Sequence, residues 1–419
     1  MDQRRFTMSS PQPALNRRTL LGTAGLAVGA AAVTPLLSSC SAPSSSVSSS
    51  SPAASLAATP SSPVTLNILD VAGNLALTKP AIQAFAAANP HIVSNITYTT
   101  GTAPDVPAKL KAEQAGGNVQ TSLVLTGTDA LASGITDGLY VNLKTYYDQF
   151  FPGLMSNYQT AAASMATLAQ DQGIEIVWYP SGPLIEYNPA KVATPPATTD
   201  ALLAWAQANP GKYQYARPRN SGPGRTWLMG LPYLLGDSDP ADPTNGWSKT
   251  WAYLTELNKY IDQYPSGTTA TMKNLAAGTA DLIASTTGWY INPRALGTVP
   301  KSMAVAKFQN MTWVTDAQFG VIPKGVSNDT LIAGLALLAY ILTPSAQAVT
   351  YDKGYFYPGP AVKGVTISQA PASSQEVIST YGEPEFDTWM TQYPMKNSLP
   401  ATAQVTAFDL WDKHIGSTK

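Results

Sequence analysis

The stretch TLNILDVAGNLALTKPAIQAFAAANPHIVSNITYTTGTAPDVPAKLKAEQAGGNVQTSLVLTGTD, residues 65–129, sets the architecture. Thr65–Val71 is a mostly apolar run that reads as a buried strand, and it enters the small-residue loop Ala72-Gly73-Asn74. A helix follows, with Thr78 or Lys79 near its cap and Pro80 in the first turn, where a missing N–H costs nothing. Ile82 and Phe85 mark its apolar face, and Asn89-Pro90 stops it. Ile92–Thr99 alternates at period two as a second strand. Asp105-Val106-Pro107 opens a second helix with Leu110 inward, closed by Gly116-Gly117. Ser122–Leu125 is a short third strand running into Thr126-Gly127-Thr128-Asp129, where Asp129 is placed to cap a helix ending near Gly134. Strand, helix, strand, helix, strand predicts an α/β class with a parallel sheet under helices. Ligands of such sheets sit beyond the carboxyl ends of the strands, which selects the loops at 70–74 and 126–129. An ordinary strand-to-helix turn has the same composition, so each loop alone decides nothing.

A second informative stretch is ALLAWAQANPGKYQYARPRNSGPGRTWLMGLPYLLG, residues 201–236. Thr199 is placed to cap its first helix, and Tyr213 and Tyr215 flank Gln214 in a short strand. Arg217, Arg219, Asn220, Ser221, Gly222, Gly224 and Arg225 then form a loop before an apolar helix, Trp227–Leu235. Guanidinium groups and free N–H groups at a helix N-terminus suit a carboxylate, a phosphate or a hydroxyl-rich ligand. Ile174–Tyr179 is a strand broken by Pro180-Ser181-Gly182-Pro183 and resumed at Leu184–Asn188, as a crossing between two lobes requires. Leu282–Thr286 is a strand that runs into Thr287-Gly288-Trp289-Tyr290. Trp178, Tyr179, Trp289 and Tyr290 are the aromatic candidates for a ligand wall, Trp289 foremost.

The start of the chain reads as an address. Arg17-Arg18 precede an apolar, Ala- and Gly-rich run that ends in Leu37-Ser38-Ser39-Cys40, which predicts a twin-arginine-like secretory signal over residues 1–39. Leu-Ser-Ser-Cys resembles the bacterial lipobox, and Cys40 is the only cysteine, which leaves lipidation as its expected use. Residues 40–63 then read as an acylated Cys and a disordered Ser/Ala/Pro tether, with too few large apolar groups to fold. The protein is therefore expected outside the cytoplasm, lipid-anchored to the outer face of the cell membrane.

Composition bounds what the body does. The 419 residues carry a formal net charge of −1 with only 12% charged side chains, so no basic stripe for nucleic acid exists. Two histidines, His91 and His414, cannot build a zinc ligand set or a His-based triad. A carboxylate-pair hydrolase is the enzymatic alternative, with Asp129 and Glu175 or Glu186 as its acids, though nothing in the sequence pairs them.

At these residues the chain resembles the extracellular solute-binding proteins of ABC importers, family 1, in a branch near the thiamine-, polyamine- and iron-binding proteins. The resemblance rests on residues 201–218, on Val321-Ile322-Pro323-Lys324-Gly325, on Leu342-Thr343-Pro344-Ser345-Ala346-Gln347, and on Lys353-Gly354-Tyr355 with Pro358-Gly359-Pro360. It implies a two-lobed periplasmic binding protein type II fold, each lobe a mainly parallel sheet covered by helices, with the ligand cleft between them. Lobe one would comprise residues 64–178 and 316–357, and lobe two residues 179–315 and 358–419. Ligand loops carry over onto Gly73, Asn74, Thr128, Asp129, Ser181, Asn220, Ser221, Arg225, Trp289 and Tyr290, with Tyr179 and Arg219 beside them. A member of the branch has an acid where this chain has Asn74.

The implied role is a monomeric receptor, without cofactor, metal or covalent chemistry, that delivers a small solute to permease subunits. From the three arginines, the ligand is expected to be sugar-like or anionic and held by Arg225, with a thiamine- or polyamine-type cation as the alternative. Arg225→Ala is expected to weaken binding while leaving the ligand-free melting temperature nearly unchanged. Cys40→Ala should release the protein from the membrane fraction, since no other acylation site exists; a mutant that still pellets with membranes after a salt wash would contradict the lipid anchor.

Overall fold

The computed structural model describes residues 56–71 and 73–419. The signal segment and Cys40 lie outside the described residues. Two sheets organise the body. The strands in chain order are β1 Val64–Val71, β2 Val93–Gly101, β3 Leu123–Gly127, β4 Ile174–Gly182, β5 Leu184–Tyr187, β6 Tyr213–Gln214, β7 Leu282–Ser285, β8 Ala304–Lys307, β9 Trp313–Val321, β10 Gly359–Pro360 and β11 Met395–Asn397. The larger, seven-stranded sheet runs β10-β4-β9-β3-β1-β2, with β11 pairing the start of β9. The smaller sheet runs β6-β7-β5-β8.

The opening stretch folds as its periodicity predicts, with shifted boundaries. Helix α1 spans Leu75–Ala88, α2 spans Val106–Ala115 and α3 spans Thr128–Thr136. The α1 start lies before Thr78, whose hydroxyl donates back to the Asn74 carbonyl. β1 pairs β2 and β3 in parallel, but β9 enters antiparallel between β3 and β4. The expectation of mainly parallel sheets is thus corrected to a mixed larger sheet and a smaller one whose β5 is antiparallel to both neighbours. The cause is the return of the chain: β9 comes back from the second sheet and can only run against β3 and β4.

Each sheet has its own apolar core. One holds Leu66, Ile68, Leu123, Leu125, Ile176, Phe319 and Leu338. The other holds Trp227, Trp247, Trp313, Phe408 and Trp411. The chain passes between the sheets at β4–β5 and at β8–β9. Pro180-Ser181-Gly182 does not interrupt β4 but belongs to it, through a register irregularity with Ser181 at φ 65°. Gly359 and Pro360 pair with Trp178 and Val177, and Tyr158 bridges Val362, so this segment belongs with the larger sheet although the sequence reading begins lobe two at residue 358. The end of the tether is not loose either. Ser61 donates from its N–H and hydroxyl to the Asp329 carboxylate, and Gln149 Nε2 donates to the Leu56 carbonyl.

Two buried acids sit in these cores. Glu175 has both carboxyl oxygens buried without a partner, and burial pushes its pKa well above the usual range. Glu186 is pushed up from 4.5 to about 8 by burial, with the Ser285 hydroxyl and Arg294 pulling the other way. The folded protein keeps these protons where the unfolded chain has released them. Stability from Glu186 is therefore complete below about pH 4.5 and lost as pH rises through about 8. Glu186→Gln should flatten that fall, so its melting temperature relative to the native protein improves steadily from pH 5 to pH 8 by about the slope one proton gives. A difference that stays constant across the range would contradict a protonated Glu186.

Candidate functional site

Where the chain crosses between sheets it leaves a cleft of about 540 Å³, walled by strand ends and helix starts from both sides. The larger sheet supplies Gly73 after β1, Gly101-Thr102-Ala103 after β2, Asp129 in α3, Tyr179 on β4, and Asp316 and Gln318 on β9. The other side supplies Asn220 and Ser221, then Gly222 and Arg225 at the start of the helix Gly222–Leu235. Residues 266–270 at the start of the helix Thr268–Ala277, Lys273 in its second turn, and Trp289 in the helix Thr287–Ala295 complete that wall. Tyr355 and Phe356 close the back.

The helix Gly222–Leu235 starts earlier than its apolar residues suggest. Ser221 caps it by accepting from Gly224 N at 3.1 Å, so Arg225 lies inside the first turn and not in the preceding loop. From there its Nη1 reaches Asp129 Oδ2 at 2.8 Å and its Nη2 reaches Asp316 Oδ2 at 2.6 Å. The three residues are 3%, 7% and 1% exposed. Tyr179, opposite Asp316 in the β4–β9 ladder, donates its hydroxyl to Asp316 Oδ2, and Thr128 Oγ1 donates to Oδ1, both at 3.1 Å. Burial disfavours the Arg225 charge, but Asp316 and Asp129 more than reverse this and hold the guanidinium charged. Asp70, at the end of β1, is pushed up to about 6 by burial, against the N–H groups of Leu75 and Asn74. Asp129 accepts from Ala130 N and lies within the first turn of α3, with Gly127 at the cap position the sequence reading gives to Asp129.

The aromatic wall depends on a close backbone approach. A Cβ on Gly288 would meet the Tyr355 carbonyl oxygen at 1.9 Å. Only glycine lets the helix Thr287–Ala295 lie against that segment, and this sets Trp289 edge-on to Tyr355 with ring centroids 5.4 Å apart. Thr286 caps the same helix by accepting from Trp289 N.

Of the residues expected from sequence, Gly73, Asp129, Tyr179, Asn220, Ser221, Arg225 and Trp289 line the cleft. The others do not. Asn74 is fully buried, donating to Gln318 Oε1 at 3.4 Å and accepting from Thr78. Thr128 acts behind the wall through Asp316, and Ser181 is buried against Thr226. Arg219 pairs with Asp409 and Asp412 and covers the Phe408 ring, fastening the C-terminal helix Ala401–His414. Tyr290 packs into the second core against Phe386, under Arg294. Asp316 and Gln318 are not among the residues expected from sequence. The alternation Asp316-Ala317-Gln318-Phe319 in an otherwise buried strand is the signal that finds them. Residues 266–270, Lys273 and Tyr355 carry no comparable mark. Among the described residues no group of His, Cys, Asp and Glu could hold a metal ion.

Residues 80–377 match the family described as bacterial extracellular solute-binding protein. The chain belongs to this family. No curated protein matches it in sequence. Solved structures similar to it are the periplasmic binding protein P5PA, at 19% identity over 84% of this chain and 99% of that one, with TM-score 0.59. AfuA from Actinobacillus pleuropneumoniae, with exogenous fructose-6-phosphate bound, matches at 16% identity over 84% and 98%, with TM-score 0.60. A putative spermidine/putrescine ABC transporter protein from Listeria monocytogenes matches at 14% identity over 84% and 98%, with TM-score 0.59. At these identities the likeness establishes the two-lobed fold of this solute-binding protein and nothing finer. No helix among the described residues is long and apolar enough to cross a membrane.

Arg225 thus joins the two sides of the cleft, which argues against the expectation that its removal leaves the ligand-free melting temperature nearly unchanged. Arg225→Ala would leave Asp129 and Asp316 buried side by side without a counterion, a loss of about 3–5 kcal/mol. Urea unfolding of the ligand-free variant checks this; a loss below about 1 kcal/mol would show the pair to be solvated and the ion bridge absent.

Proposed function

We propose that this solute-binding protein captures a small polar solute in the cleft and hands it to the permease of an ABC importer. It would work as a monomer, held outside the cytoplasm by a lipid on Cys40. The observation that carries this reading is a cleft of ligand size whose polar groups come from both sheets, Asp129 and Gln318 from one and Ser221 and Lys273 from the other, so that a bound solute joins the two sides. The similar structures, a putative spermidine/putrescine ABC transporter and a sugar-phosphate-bound binding protein, agree with such a role.

The glycosidase alternative loses its acids. Glu175 and Glu186 are each buried in a core and neither lines the cleft, so neither can face Asp129 across a bound solute. The expectation of an anion held by Arg225 is weakened because two carboxylates already share its charge, although its Nε keeps an N–H without a partner among the described residues.

A solute that binds only the folded protein raises the melting temperature with the logarithm of its concentration. A panel of sugars, sugar phosphates, amino acids, polyamines and thiamine should contain at least one compound with that behaviour. Trp289→Ala should weaken that compound by about tenfold, the worth of one aromatic contact, while the native protein compacts with it in small-angle scattering. Silence of the whole panel in both measurements would count against a receptor.

A further inference from the structure

The four charges that line the cleft, Asp129, Asp316, Arg225 and Lys273, cancel in number but are divided between a buried cluster and an isolated lysine, and that division points to the chemistry of the solute. Asp129, Asp316 and Arg225 are each more than nine-tenths buried, and two carboxylates share one guanidinium. The group carries one net negative charge where an uncompensated charge is costly. Asp316 has no acceptor capacity left. Its Oδ1 accepts from Thr128 Oγ1 and Ala317 N, and its Oδ2 from Tyr179 and Arg225. Among the described residues Asp129 accepts only from Ala130 N on Oδ1 and from Arg225 on Oδ2, and it lines the cleft. An anionic acceptor therefore stays open on the larger-sheet side.

The facing wall has the opposite character. Lys273 is exposed and lines the cleft, and no ion pair involves it among the described residues. It stands in a ten-residue helix whose first turn also lines the cleft, with N–H groups that have no intrahelical partner. An independent mark lies between the two walls. Gln318 is 1% exposed and lines the cleft; its Oε1 accepts from Asn74, and its Nε2 has no partner among the described residues. A buried amide donor facing a cavity calls for an oxygen on the ligand.

We infer that the solute is a small zwitterion, a protonated amine joined to a carboxylate or phosphonate. The ammonium sits on Asp129. The anionic group faces Lys273 and the first turn of the helix Thr268–Ala277, with Trp289 beside the chain between them. The inference rests on the cleft being the solute site proposed above. A neutral sugar satisfies Gln318 but leaves the negative charge uncompensated. A polyamine satisfies Asp129 but sets a second cation against Lys273. A sugar phosphate suits Lys273 but brings no cation to Asp129.

Titration calorimetry on the mature protein tests this with β-alanine, γ-aminobutyrate and aminoethylphosphonate. Propionate, butyrate and ethylphosphonate lack the amine, ethylamine lacks the acid, and glucose, glucose phosphate and spermidine represent the other classes. At least one zwitterion should bind about tenfold or more tightly than its own single-charge analogues, the ratio expected for one charge-assisted contact. The carboxylate and phosphonate members separate the two anion sources. Lys273→Glu should weaken the same zwitterion by about tenfold or more without moving the ligand-free melting temperature, because the side chain is exposed. Glucose, glucose phosphate or spermidine binding more tightly than every zwitterion would overturn the charge assignment and leave the receptor standing. Binding by no compound of any class would overturn both.

Discussion

The bridge from Arg225 to Asp129 and Asp316 is the constraint on which the rest of the cleft depends. A guanidinium at the start of one helix reaches a carboxylate in the first turn of another and a carboxylate on the strand that returns from the second sheet. All three are buried, so none can be left without its partners at tolerable cost. The bridge fixes the register of β9 against β4, since Asp316 must also meet the Tyr179 hydroxyl. It fixes the seat of α3, since Asp129 and Thr128 are both tied into it. The C-terminal helix Ala401–His414 adds a second tie, with its apolar side in the second core and Gln404 donating to the Thr128 carbonyl.

This arrangement converts an apparently basic site into one whose charges cancel. Three arginines lie within nine residues of the sequence, yet each is already engaged. Arg217 reaches the Gly416 carbonyl, Arg219 the acids of the C-terminal helix, and Arg225 two carboxylates. What faces the cleft is an aspartate with spare lone pairs on one wall, a lysine on the other, and a buried amide between. Counting charges along a loop misjudges a cleft because pairing across the fold cancels charge before the ligand arrives.

The repeated use of helix starts has a similar economy. Residues following β1, β2 and β3, and those opening the helices at 222, 268 and 287, all point their first turns at one space. First-turn N–H groups lack intrahelical partners, and here they border a cavity large enough for a small solute. Gly73, at φ +74°, and Gly288 matter here because they let the backbone of these turns come close to Tyr355.

The sequence alone determined much. Period-two and period-3.6 patterns located the alternating strands and helices of residues 65–129, and the position of loops beyond strand ends picked out Gly73 and Asp129. Local chemistry decides such features, so local reading finds them. It also carried the family resemblance, through short motifs spread over the body. Tertiary structure decided the rest. Whether β9 runs parallel or antiparallel depends on a crossing between sheets that no window of residues contains. Asp316, Lys273 and Tyr355 reach the cleft from segments far apart in the chain, and Tyr290 and Ser181 turn away from it although their neighbours Trp289 and Tyr179 do not. Above all, the partner of Arg225 lies 96 residues away at Asp129 and 91 away at Asp316. A charge is fixed by its sequence position, but what neutralises it is fixed only by packing.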